Sequence, residues 1–282
     1  MIRRIAVIAI SLIAAGADTA SGQWINPAGR GWVSVDLYYD DTMSQFGEEA
    51  NEEPLPEEGH SITTSVYSTM SVGLFTGIDA WAQIPVIRSQ FSDIAGDRQS
   101  TGFGDPRFYL RIGPSLFGIN TTIPIDIRTG IKLVGSDFAV DAETIPISDG
   151  QRDYELMVEL GHSFWPRPIY VSGWVGYRWR GTNKEIDRKP GNEWFGFVKA
   201  GGNEGRLIWM VDVEGFKGSA PESFGIEIVT ARRELVQVTP RLGVVTGMGS
   251  FLVGARLAVL GRNYPSGTAL IISFFRTQTF WN

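Results

Sequence analysis

The chain has 282 residues, of which 43% are apolar and 20% charged, with a net charge of −6 and no cysteine. The acidic balance argues against a nucleic-acid partner, whose phosphates call for a basic face. The missing cysteines remove disulfides and thiolate metal sites, so an exported domain of this size must rely on a large core or a closed sheet.

Met1-Ile2-Arg3-Arg4 is a basic start, and Ile5 to Ala15 is an apolar run broken only by Ser11. Small residues follow, and Ala20-Ser21-Gly22 fits a cleavage pattern ahead of Gln23. Residues 1–22 therefore read as a secretory signal peptide, too short to span a bilayer as a helix. Residues 23–282 form the mature domain. No other stretch is long and apolar enough for a membrane helix, so a spanning chain would have to be a barrel.

Gly31 to Asp40 alternates Trp32, Ser34, Asp36 and Tyr38 against Val33, Val35, Leu37 and Tyr39, the period of a strand. Thr42 to His60 is a long connection carrying the acids of Glu48–Glu58, and Pro54 and Pro56 argue against its extending a strand. Such a run is a solvated loop, with a divalent cation or bridged lipopolysaccharide head groups as the sharper reading. Strands follow at Ser61–Leu74 and Ile78–Ser89, joined at Phe75-Thr76-Gly77, and then a polar segment holds Ala95-Gly96-Asp97.

The stretch TGFGDPRFYLRIGPSLFGINTTIPIDIRTGIK, from Thr101 to Lys132, gives the clearest pattern. Asp105, Arg107, Tyr109 and Arg111 share one face against Pro106, Phe108, Leu110 and Ile112. Asp126, Arg128 and Lys132 share one face against Ile125, Ile127, Thr129 and Ile131. Later strands fall at Gln151–Phe164, Ile169–Arg180, Glu193–Gly202, Leu207–Phe216, Leu235–Val245, Phe251–Leu260 and Thr268–Trp281.

One apolar face and one charged face fit two architectures. In a soluble sandwich the apolar face is core; in an outer-membrane barrel it meets lipid and the charges line the lumen. Two regularities favour an all-β transmembrane antiparallel up-and-down barrel of about twelve strands. Connections near 76, 116, 166, 204 and 248 are brief, while those near 50, 97, 142, 186 and 225 are longer. Aromatics such as Trp32, Tyr38, Tyr39, Trp81, Phe108, Trp165, Trp179, Trp194, Phe195 and Trp281 crowd the strand ends, as interfacial girdles do.

The elements GFGDPRFYLRIG, PIDIRTGIKLVGSDF, SDGQRDYELMVELGHSF and GYRWRG, in that order, resemble the outer-membrane family labelled "MetA-pathway of phenol degradation". The resemblance runs from Ser100 to Arg180 and loosens towards the C-terminus. It implies a barrel moving small aromatic or apolar compounds across the outer membrane of a Gram-negative bacterium. Such barrels usually finish on an aromatic residue, whereas this chain ends Phe280-Trp281-Asn282, displaced by one.

With lipid on the apolar faces, an Arg or Lys facing the bilayer midplane would cost about 2–4 kcal/mol. The inward set is therefore Asp105, Arg107, Tyr109, Arg111, Asp126, Arg128, Lys132, Asp153, Glu155, Glu159, Arg178 and Arg180, continued by Asp212, Glu214, Arg241 and Arg256. Adjacent strands would set Asp105 and Arg107 beside Arg128 and Asp126, and Lys132 near Asp153 and Glu155. These groups either brace the lumen as compensating pairs or filter a polar or amphiphilic solute.

An enzyme is poorly supplied. His162-Ser163 are adjacent and point to opposite faces of a strand, and His60-Ser61 has the same fault unless a loop bends it, so neither histidine is placed to serve its serine as base. No cofactor or metal site is expected. The sequence thus predicts an outer-membrane channel or transporter passing a small solute through a narrow charge-lined lumen. Membrane lipid, lipopolysaccharide and the barrel-assembly machinery are its expected partners. The alternative is a non-transporting structural or surface-interaction barrel.

Overall fold

Residues 25–138 and 144–281 are described by the computed structural model, so the signal-peptide reading and Asn282 lie outside the described residues. Twelve wall strands run in chain order: β1 Arg30–Thr42, β2 His60–Phe75, β3 Ile78–Asp93, β4 in two segments Gly96–Phe103 and Arg107–Ile112, β5 Ile125–Lys132 and β6 Asp153–Ser163. They continue as β7 Ile169–Arg180, β8 Glu193–Glu204, β9 Leu207–Gly218, β10 Glu234–Val245, β11 Ser250–Arg262 and β12 Thr268–Thr279. Each pairs antiparallel with its sequence neighbours, and β1 pairs with β12 from Arg30↔Thr279 to Asp41↔Thr268. That last ladder closes the sheet and leaves no open edge along the wall.

Closure sorts the side chains by parity. On β6, Asp153, Glu155, Met157 and Glu159 are buried, whereas Tyr154, Leu156, Val158 and Leu160 are exposed. The same division holds on β5, where Asp126, Arg128 and Lys132 are buried and Ile125 and Ile127 exposed. A compact protein that buries its charges and exposes its aliphatic rows is arranged for lipid outside. Val158 sits on that outer row, opposite Ile127 and Val175. Val158→Arg should therefore destabilise the folded barrel by about 2–4 kcal/mol, read as a fall in the urea midpoint in lipid vesicles. An unchanged midpoint would contradict a lipid-facing wall.

Three expectations are corrected. The connection near 97 is a tight hairpin between the long arms of β3 and β4, pairing Asp93 with Gly96, because polar Gln99, Arg98 and Asp97 extend the strands beyond the apolar band. The connection near 116 is instead the longer one, from Gly113 to Pro124 with a short 3-10 turn at Pro114–Phe117. The acidic connection also contains strand, since Ser44–Phe46 pairs with Glu52–Pro54. Pro54 is tolerated there because that strand is the edge of a three-stranded flap completed by Tyr264–Pro265.

The girdle reading also divides. Tyr39, Phe108, Trp165, Trp179, Trp194 and Trp281 are exposed on the outside. Trp32, Tyr38, Trp81 and Phe195 share the parity of the charged residues and lie on the inner face. Position along a strand shows how near its end a ring lies, but only parity shows which side it takes.

Candidate functional site

The inner face of β3 to β8 carries a series of ion-pair groups. It begins at the mouth that holds both chain termini, where Asp79 on β3 is opposite Arg111 on β4. Asp79 is 0% exposed. Its carboxylate accepts Arg111 Nε at 2.7 Å and a second guanidinium N–H, plus the Asn26 backbone N–H at 3.0 Å and the Asn26 side-chain amide at 2.9 Å. The amide of Asn26 also reaches Ser71 at 2.7 Å, so the segment before β1 is tied into this mouth. Arg111 lies 3.5 Å from Glu159, which also pairs with Arg128.

Expected neighbours and observed register differ here. Arg107 is opposite Lys132, Arg111 opposite Arg128, and Asp126 opposite Glu159, so three like-charged pairs face one another across the ladders. Directly opposed like charges are destabilising. The network resolves them by reaching sideways, Arg111 to Asp79, Arg128 diagonally to Glu159 and Arg107 to Glu155 at 3.4 Å. Asp126 is 3% exposed, and its Oδ1 has no hydrogen-bond partner among the described residues. The expected contact of Lys132 with Asp153 is present at 3.0 Å.

Asp105 is not in a strand. Between Val86↔Phe103 and Gln83↔Arg107, β4 spends one more residue than β3, which makes Gly104-Asp105-Pro106 a bulge. An extra residue reverses parity, so the alternation cannot be carried unbroken through Asp105. Its carboxylate instead pins the next connection, accepting Lys132 Nζ at 2.9 Å, Ser148 Oγ at 2.5 Å, Gly135 N–H at 3.1 Å and Asp149 N–H at 3.0 Å.

Two cations join this connection to the wall. Lys132, 1% exposed, holds Asp105, Asp149 at 2.6 Å and Asp153. Arg180 holds Asp149, Asp153 and Glu193, each at 2.9 Å. Arg178 completes the chain between Glu155 at 2.7 Å and Glu193 at 2.5 Å. Tyr109 donates to Glu155 at 2.8 Å by crossing over Gly130. A Cβ at Gly130 would lie 2.2 Å from the tyrosine ring, so only glycine lets it pass.

Asp149 projects from the connection with its side chain 54% exposed. Although that side chain is open to water on one side, crowding by the surrounding protein disfavours its charge; Lys132 and Arg180 outweigh this and hold its carboxyl down at about 2. An unfolded aspartate titrates near about 3.9. The depressed group therefore stabilises the docked connection above about pH 4 and loses that contribution as pH falls towards 2. Amide exchange in residues 144–152 should accelerate over that window. Asp149→Asn should already exchange fast at pH 5 and respond less to acid; an identical profile would rule Asp149 out as the anchor.

The opposite wall has its own smaller set. Arg241 pairs with Asp212 and lies 3.9 Å from Asp36, and Lys199 lies 3.9 Å from Asp212. Arg256 reaches Asp40 at 3.3 Å and covers the Tyr38 ring at 4.9 Å. Aromatics sit among the ions along the inner face of β3 to β9. Tyr109, Met157 and Phe195 are buried, with Trp81, Trp174 and Phe216 against them. Arg128 lies 5.1 Å above Trp81, and Arg178 lies 4.5 Å above Phe195, both in cation–π range.

The twelve residues singled out in sequence therefore do not form one cluster. Asp105, Lys132, Asp153 and Arg180 meet at the mouth remote from the termini. Arg107, Tyr109, Glu155 and Arg178 meet below them, and Arg111, Arg128 and Glu159 meet near the other end beside Asp126. Sequence reading missed Asp79, Asp149, Glu193 and Lys199. Asp79 was legible, because Asp79 and Trp81 alternate with Ala80 and Ala82; Asp149 was not, because it comes from a loop. His60 hydrogen-bonds Asp41 at 2.8 Å, and the His162 ring sits 4.7 Å from Phe164.

No protein-family model and no curated protein matches the chain. Among solved structures, the COG4313 outer membrane channel from Pseudomonas putida F1 superposes with a TM-score of 0.74 over 93% of this chain and 99% of that one, at 10% identity. The translocator domain of autotransporter NalP from Neisseria meningitidis aligns with a TM-score of 0.50 over 87% and 88%, at 8% identity. Identity this low speaks for the fold. That fold is the one implied by the resemblance to the phenol-degradation pathway barrels. The chain is a closed twelve-strand outer-membrane β-barrel with the architecture of the COG4313 channel.

Proposed function

We propose that the protein is a non-enzymatic outer-membrane channel that passes a small solute through a narrow lumen filtered by the inner-face ions. The observation carrying this reading is the inverted wall, apolar rows outside and an ionic and aromatic inner face. An inner face built only as filler could be apolar at lower cost, since burying ion pairs is at best a weak source of stability. Three inner-face cations remain open to lumen water: the Arg107 side chain is 32% exposed, Lys199 27% and Arg256 26%. Arg128, by contrast, is held between Glu159 and the Trp81 ring and acts as a brace. Outer-leaflet lipopolysaccharide is the surrounding we propose for the loop-bearing mouth, with the barrel-assembly machinery inserting the chain.

The test is planar-bilayer conductance and vesicle flux of the folded protein. Arg107→Gln with Lys199→Gln should move the reversal potential in a salt gradient towards cation preference by at least several millivolts. Channels with unaltered ion preference would remove these residues from the filter. A non-transporting barrel is the second reading, supported by the buried inner-face cluster of Tyr109, Met157 and Phe195. It predicts no current and no flux of aromatic, nucleoside or sugar solutes.

A further inference from the structure

A cavity of about 170 Å³ opens at the loop-bearing mouth, between the connections that follow β5, β7 and β9. Its lining mixes apolar side chains, Phe138, Ile186, Pro190 and Pro221, with polar ones such as Ser148, Gln151 and Asn183, and includes Arg188 and Arg233. A cavity of this size takes a small organic molecule.

The charge balance of this cavity is uneven. The two acids among its described lining residues are already neutralised: Asp149 by Lys132 and Arg180, with a longer-range attraction to Arg233, and Glu193 by Arg178 and Arg180. Arg188 and Arg233 have no carboxylate within ion-pairing distance among the described residues. The Arg233 guanidinium is instead set over the Tyr264 ring at 4.8 Å and the Phe216 ring at 5.7 Å. A guanidinium stacked on ring faces keeps its N–H fork free in the plane, ready for a carboxylate. The backbone of Arg188 is fixed as well, by reciprocal bonds with Asn183 and by pairing with Ser223.

We propose that this cavity is a capture site for small organic anions with a flat apolar body, of the monocarboxylate class, held by Arg188 and Arg233. The inference rests on the channel reading in that captured anions would then enter the lumen past Arg180 and Arg178. The pairing of apolar lining groups with two guanidinia that have no carboxylate within ion-pairing distance among the described residues is what selects such a ligand. A neutral ring would leave the guanidinia without an anion, and a small anion such as acetate would leave the walls wet.

The experiment is calorimetric titration of the detergent-folded full chain with benzoate, benzyl alcohol, benzylammonium and acetate. Benzoate should bind at one site per chain, at least about tenfold tighter than the other three, which is the worth of one charge-assisted hydrogen bond. Arg188→Gln and Arg233→Gln should each weaken benzoate about tenfold or more, while Arg233→Lys retains part of the affinity. Heat-modifiable gel migration identifies variants that remain folded. Benzyl alcohol binding as tightly as benzoate, no benzoate binding at all, or folded glutamine variants with undiminished affinity would each overturn the site. Conductance measured in parallel separates the two readings. A barrel that binds benzoate but carries no current keeps the site and loses the channel, and one that conducts without binding benzoate does the reverse.

Discussion

Asp79→Ala is expected to destabilise the folded barrel by about 3–5 kcal/mol, the usual consequence of stranding one member of a buried ion pair. Asp79 is fully enclosed and is the acceptor for two N–H groups of Arg111 and two of Asn26. Its removal leaves the Arg111 guanidinium beside Arg128, the like charge it opposes across the ladder, with Glu159 shared between the two. It also frees the segment before β1 from the mouth. Urea unfolding in micelles gives the loss directly. The double variant Asp79→Ala with Arg111→Met should recover part of it, because the stranded charge goes too. If the single variant unfolds within 1 kcal/mol of the wild type, on the order of an ordinary neutral hydrogen bond, the pair is not the buried anchor described.

Lys132→Met should have an effect of similar size, about 3–5 kcal/mol, with a local signature as well. Three carboxylates converge on this ammonium, and two of them, Asp105 and Asp149, hold the connection after β5 against the wall. Methionine keeps most of the stem's packing and removes only the charge. Arg180 still reaches Asp149 and Asp153, so the wall should survive while the connection loosens. Limited proteolysis should then cut within residues 133–152 well before the barrel unfolds, and Lys132→Arg should restore much of the protection. Resistance equal to the wild type would show that Asp105 and its backbone donors suffice alone.

Both outcomes depend on contacts of different legibility. The strands were readable because period-two alternation survives in nearly every one, from Ile125–Lys132 to Asp153–Ser163. The charged residues were readable as inward because lipid tolerates no alternative. Ion partners were not readable, because alternation gives a face and leaves the register open; a shift of two residues keeps every face and changes every partner. The bulge at Gly104-Asp105-Pro106 was hidden for a related reason. Nothing local distinguishes Asp105 as the extra residue from Asp105 as the next step of the alternation.

The sequence by itself determined that each strand has one apolar and one charged face, since that follows from side-chain chemistry and a two-residue period; connection lengths and aromatic placement then favoured lipid outside. Tertiary structure decided which ions meet, which aromatics face the lumen, and that Asp79, Asp149 and Glu193 complete the network. Those choices depend on how far each strand slides against its neighbour before the ring closes, a distance fixed by all twelve ladders together.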